Sequence, residues 1–190
     1  MQLSSKTIDD VQRKIRRVAN TSANVVYHPT SRYLIVSVSH QCLYVVKNRV
    51  VLTYYQVSTG LKGVGNRTGS EQTPLGLHRI AEKIGDNAPL GSIFKARCNT
   101  GQIARILTTE NEYSEGDNIT SRILWLDGIE QGKNKGGDVD THSRYIYIHG
   151  TDEEWRLGEA VSHGCIRMAN KDVIQLFNEI IVDSLVVIIK

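Results

Sequence analysis

Three runs of β-branched and aromatic residues, Tyr33–Val38, Cys42–Val46 and Arg49–Val57, follow one another closely and constrain the fold more than any other feature. Such side chains suit a pleated, half-buried surface, and Lys47-Asn48 supplies a turn between the second and third runs. The expectation is an antiparallel meander. Further strands are expected at Leu77–Ile80, Ile119–Leu126, Arg144–His149 and Leu185–Ile189. Helical spacing occurs at Ile8, Val11, Ile15 and Val18, behind Thr7-Ile8-Asp9-Asp10, which reads as a capping box. It recurs at Val173, Ile174, Phe177 and Ile181, with Asn170 as the cap. Strands outnumber helices and do not alternate with them. The fold class is therefore mainly β (α+β), without the helix-strand alternation of a parallel α/β sheet.

At 190 residues the chain fits one domain. Residues 1–30 read as an N-terminal accessory helical segment and residues 31–190 as the main domain. Arg13, Lys14, Arg16 and Arg17 read as a solvated helix face, with a patch for an anionic polymer or lipid as the lesser alternative. Residues 58–72, 85–92 and 99–120 read as loops, with Thr73-Pro74-Leu75-Gly76 as a turn. Gly128 to Asp140 reads either as a surface loop or as a substrate lid.

A formal charge of +3 and a pI of about 8.7 are too mild to indicate nucleic-acid binding. No apolar run reaches membrane-spanning length. The first twenty residues lack the apolar core of a secretory signal, which leaves a cytoplasmic protein and one read after its export signal both open. Of the three cysteines, Cys42 and Cys98 read as structural or incidental thiols, and whether they pair stays open.

The third cysteine lies in Ser162-His163-Gly164-Cys165-Ile166-Arg167-Met168. A histidine stands sixteen residues before Cys165, at the end of the alternating run Arg144–His149. With a period of two, Tyr145, Tyr147 and His149 share one face of that run and Ile146 and Ile148 the other. A nucleophilic thiol needs a base, and cysteine-histidine pairs usually come from separate elements. Cys165 is therefore the candidate nucleophile and His149 the candidate base. His163 is read as a supporting or substrate-side group. Gly164 permits close backbone approach, so the amides of Gly164 and Cys165 could face a developing oxyanion. The Gly150 carbonyl could hold the imidazole tautomer, in place of a carboxylate. Arg167 could favour thiolate or anchor a substrate carboxylate. Ser162 and Tyr147 complete the substrate-side candidates.

The order of these motifs resembles the L,D-transpeptidase catalytic domain (the YkuD family), from about residue 33 to 190. A histidine is followed, after a variable loop, by Ser/Thr-His-Gly-Cys, a hydrophobic residue and Asn or Arg. Here His149 is followed by twelve residues and then Ser162-His163-Gly164-Cys165-Ile166-Arg167. Val57-Ser58-Thr59-Gly60 and Thr73-Pro74-Leu75-Gly76 match two further family segments in order.

The resemblance implies a β-sandwich of mixed and antiparallel strands, with a helix after the catalytic cysteine. It implies that Cys165 attacks a donor tetrapeptide stem of peptidoglycan, releases D-Ala, and passes the acyl group to a diamino-acid amine of a second stem. It also implies the cell envelope as location, carbapenem-type inhibitors as possible ligands, and no cofactor. Two departures, a short loop before Ser162 and Arg rather than Asn at 167, bear on the choice of acceptor. Water as acceptor would instead make an L,D-carboxypeptidase or cross-link hydrolase. A non-catalytic wall-binding module is a further alternative. A zinc site of His142, His149, His163 and Cys165 is a distant one, since the spacing fits no common zinc pattern.

Overall fold

The computed structural model describes residues 3–21, 31–114 and 116–190. Among these, ten strands form one sheet: β1 (Tyr33–Ser37), β2 (Cys42–Lys47), β3 (Val50–Ser58), β4 (Gly76–Ile84), β5 (Ser92–Lys95), β6 (Cys98–Ile103), β7 (Ile119–Gly128), β8 (Tyr147–Gly150), β9 (Ile166–Met168) and β10 (Leu185–Ile189). Their order is β4-β10-β1-β2-β3-β9-β8-β7-β5-β6, and β4 also pairs with β7. That last pairing closes the sheet on itself, so the expected two-layer β architecture has no free edge between β4 and β7. The meander β1-β2-β3 is antiparallel, as its sequence predicts. Two pairings are parallel, β1 with β10 and β8 with β9.

The closed sheet has two apolar faces, because successive side chains point to opposite sides. One face gathers Leu34, Val36, Leu43, Val45, Leu124, Ile148, Ile166 and Met168, and α2 (Asn170–Glu179) adds Val173, Leu176 and Phe177. The other gathers Tyr33, Ile35, Tyr44, Val46 and Val187, which α1 (Ser5–Thr21) covers with Ile8, Val11, Ile15 and Val18. The whole predicted stripe is buried. Each such side chain stabilises the docked helix by about 1.5–3 kcal/mol. Among the described residues no helix is long and apolar enough to cross a membrane.

Several boundaries differ from the sequence reading. Helix α1 begins earlier, with the Ser4 hydroxyl accepting the Thr7 N–H at 3.0 Å. Ser4 therefore makes the capping bond, and Thr7–Asp10 lie inside the helix. The remainder of the 1–30 segment lies outside the described residues. Asn170 is the first helical residue and not the cap. Its amide N–H instead donates to the Glu154 carboxylate, 2.7 Å away. Ile181, placed on the apolar stripe by spacing, is 73% exposed beyond the helix end.

The segment read as loop at 99–120 supplies most of β6, which pairs with β5 in a hairpin and is exposed throughout. The run 144–149 becomes a strand only from Tyr147. Tyr145 has φ 56° and stands in a turn, so it does not continue the face of Tyr147 and His149.

The segment after Gly128 is tied down by Asn134, which is buried and donates to the Leu77 carbonyl at 3.0 Å. Glu130 pairs with Lys14 of α1 at 2.8 Å. Both contacts run towards β4 and α1, as a packed surface loop requires.

Candidate active site

The parallel pairing of β8 with β9 sets Ile148 opposite Ile166 and His149 opposite Arg167. Ile146, Ile148, Ile166 and Met168 fill the core. By alternation Tyr147, His149 and Arg167 point to the other face. Cys165, just before β9, packs there against the cluster of Phe94, Ile123, Trp125 and Tyr147. His149 and Cys165 are thus diagonal neighbours on adjacent segments of one sheet face.

His149 is buried. Its Nδ1 lies 2.7 Å from the Gly150 carbonyl oxygen. A carbonyl only accepts, so Nδ1 carries the proton and Nε2 keeps a lone pair. Burial lowers the imidazole pKa, outweighing the Asp117 carboxylate and the Gly150 carbonyl, which raise it. Near neutral pH the ring is uncharged and can accept a proton. Gly150 allows this because a Cβ there would come within 2.6 Å of the Thr120 carbonyl oxygen and 2.7 Å of Asn170 Oδ1.

The Cys165 residue is half-buried. Its sulfur accepts the Tyr147 N–H at 3.4 Å, and its thiol donates to the Tyr145 carbonyl at 3.5 Å. Burial pushes its pKa up to about 12. The Tyr147 amide, Arg167 and Arg144 oppose this, and Asp117 adds to it. The resting group is a thiol, so Arg167 does not leave a standing thiolate.

The loop before the sulfur is held from several sides. Ser162 Oγ donates to the Cys165 carbonyl at 2.6 Å and accepts the Gly164 N–H at 3.1 Å. Gly164 sits at φ 113°, and a Cβ there would stand 3.0 Å from the Gln72 carbonyl oxygen. Thr73 Oγ1 donates to the Gly164 carbonyl at 3.0 Å and accepts the Gly60 N–H at 2.8 Å. The two outlying motif segments, around Gly60 and Thr73, thus build the cradle of the cysteine loop. Two sequence expectations change. The Gly164 amide is occupied by Ser162, which leaves the Cys165 amide as the candidate oxyanion donor of that pair. Ser162, buried and bonded within the loop, shapes the site and does not face a substrate.

Arg167 is also buried. Its guanidinium is divided between Asp117 Oδ2 at 2.7 Å and Glu153 Oε2 at 3.2 Å. With both carboxylates already bound it is not placed as a substrate anchor, and its role as such is corrected. His163 is exposed, with Nδ1 3.0 Å from the same Asp117 oxygen. Burial raises the Asp117 pKa, but His149, Arg167 and His163 together outweigh it and hold the carboxyl below its usual range. Tyr147 is buried, and its hydroxyl accepts from Arg97 at 3.4 Å.

Of the four residues weighed as zinc ligands, His142 is stacked on Trp125 with centroids 3.9 Å apart. Among the described residues no three His, Cys, Asp or Glu side chains converge as ligands would. Sequence reasoning missed Asp117, Arg144 and the Tyr145 carbonyl. Asp117 lies in a stretch read as loop, and no motif marks it.

A mainly β domain with this thiol and imidazole on one sheet face defines the class. The model of the L,D-transpeptidase catalytic domain family (YkuD) matches residues 31–188, and the chain belongs to that family. Two Bacillus subtilis (strain 168) proteins named as L,D-transpeptidases are similar over short stretches. YkuD is 43% identical over 53 residues, covering 25% of this chain and 32% of YkuD. YqjB is 48% identical over 48 residues, covering 25% of this chain and 27% of YqjB. The match thus spans about a third or less of those relatives' length. The fold is similar to the L,D-transpeptidase of Xylanimonas cellulosilytica (residues 123-326), with a TM-score of 0.53 and 13% identity. That likeness covers 92% of this chain and 68% of that one.

Proposed function

We propose that this protein is a cysteine acyl-transferase acting on peptidoglycan stem peptides in the cell envelope. The observation that carries this reading is the His149 imidazole, fixed by the Gly150 carbonyl with Nε2 as its basic nitrogen, on the same sheet face as the Cys165 sulfur.

The chemistry follows from those protonation states. Nε2 of His149 takes the thiol proton as the sulfur attacks the carbonyl before the terminal D-Ala of a donor tetrapeptide. A new S–C bond forms, and the carbonyl oxygen gains charge near the Cys165 amide. The C–N bond then breaks, and the imidazolium returns its proton to the departing D-Ala amine. In the second half an amine of another stem attacks the thioester. The S–C bond breaks, an amide forms, and the proton taken from the amine by His149 restores the thiol. Asp117 favours the transient imidazolium, as its charge already raises the His149 pKa.

A carbapenem would acylate the same sulfur. The test is incubation with purified disaccharide-tetrapeptide, followed by mass analysis of the products. Cross-linked dimer supports transfer to an amine. Tripeptide with free D-Ala and no dimer would replace the transferase reading with a hydrolase. An unchanged substrate would contradict both.

A further inference from the structure

Arg144 directly precedes Tyr145, whose carbonyl accepts the Cys165 thiol at 3.5 Å. Its guanidinium donates to the Gly65 carbonyl at 3.1 Å, to Ser70 Oγ at 3.3 Å and to the Gln72 carbonyl at 2.6 Å. That last carbonyl lies against Gly164, where a Cβ would approach it to 3.0 Å. The cation is therefore lodged between the two stretches of backbone that flank the sulfur.

All three partners of Arg144 are uncharged. Among the described residues no carboxylate forms an ion pair with it, whereas Arg79 and Arg167 each divide between two. Arg122 likewise bonds only to carbonyls, but it packs over Phe177 in the core. A half-buried cation without a counter-ion is costly to hold. Burial lowers the pKa of the Arg144 guanidinium, and the field of the Cys165 sulfur opposes that shift.

We propose that Arg144 is the anion subsite of the thiol pocket and takes the free C-terminal carboxylate of the donor peptide. The inference rests on the peptide-acyl-transfer reading above. In such a donor the carboxylate is separated from the attacked carbon only by the scissile nitrogen and one α-carbon, so it must lie close to the sulfur. A planar guanidinium suits a carboxylate because it can offer parallel N–H donors. Arg167 is committed to Asp117 and Glu153, whereas Arg144 meets only uncharged partners and stands next to the residue whose carbonyl accepts the thiol. The subsite would restrict donors to those ending in a free acid.

The first test needs no peptidoglycan substrate. Alkylation rates at Cys165, read by peptide mapping, are measured with anionic iodoacetate and neutral iodoacetamide. Arg144→Gln should lower the iodoacetate-to-iodoacetamide ratio about tenfold, the scale of one charge-assisted hydrogen bond. Arg144→Lys should keep most of that ratio. A loop merely loosened by substitution changes both rates together, so an unchanged ratio overturns the subsite.

The second test compares acylation by a tetrapeptide acid and its C-terminal carboxamide. The wild type should favour the acid, and Arg144→Gln should lose that preference while still using the amide. Equal use of both by the wild type overturns the proposal even though acylation proceeds. Failure of both donors contradicts the functional reading instead, and the alkylation ratio still decides the subsite.

Discussion

His149 Nδ1 lies 2.7 Å from the carbonyl oxygen of Gly150, the next residue in its own strand. A backbone group thus sets the imidazole tautomer, and the nearby carboxylate of Asp117 is free to act on the ring through its charge alone. Fixing and charging the base are separate tasks here.

That division assigns the two histidines different roles. His149→Gln should cut Cys165 acylation by at least about a hundredfold, the usual worth of a positioned base. His163→Gln should have a much smaller effect, since His163 is exposed and meets Asp117 rather than the thiol. Acylation rates of the two variants check this. A larger loss in the His163 variant would make His163 the base.

The pH profile should reflect a neutral pair. Burial lowers the His149 pKa from its ordinary value of 6.5, so the imidazole is in its basic form through neutral pH. The Cys165 thiol, pushed up to about 12, stays protonated over the same range. The acylation rate should therefore rise at a pH below 6.5 and stay flat into mildly alkaline solution. Acylation measured across pH 5 to 9 reads this directly, and a limb near pH 8.5, as for an ordinary thiol, would contradict it.

Asp117→Asn should move two quantities in opposite directions. The carboxylate raises the pKa of both Cys165 and His149. Its removal should lower the thiol pKa, and speed alkylation by iodoacetamide at alkaline pH. It should slow acyl transfer, because the imidazolium loses its counter-charge. Arg167 keeps Glu153 as a partner in this variant. Alkylation and transfer falling together would mean that Asp117 serves only to hold the loop.

The positions of these groups were unequally legible in the sequence. His149 and Cys165 could be found because a strand pattern and a short motif are local, and parallel pairing of the two segments completes the site. The helix stripe Ile8, Val11, Ile15 and Val18 was legible for the same reason. Asp117 was not, since its role depends on a loop folding back onto Arg167 and His163 from far along the chain. The burial of Arg167 between two carboxylates was not legible, because nothing in its sequence neighbourhood reveals it. Strand β6, Cys-Asn-Thr-Gly-Gln-Ile, lacks the apolar alternation of a packed strand because backbone pairing with β5, and not burial, holds it.

A stability effect is expected at His78, which is buried with Nδ1 3.1 Å from the Gly76 carbonyl. Burial depresses its pKa to about 4 from the ordinary value of 6.5. Between these values the unfolded chain binds a proton that the folded chain excludes, so stability falls as the pH drops through that window. The limiting slope is about 1.4 kcal/mol per pH unit. His78→Gln should reduce that slope in denaturant titrations at pH 4 to 7. An unchanged slope would show that other groups carry the acid sensitivity.

The most direct measurement is the intact mass of the protein after mixing with a tetrapeptide stem. The account predicts a tripeptidyl adduct that maps to Cys165, forms far more slowly in His149→Gln, and is absent in Cys165→Ala. An adduct that persists in Cys165→Ala, or forms at the wild-type rate in His149→Gln, would contradict it.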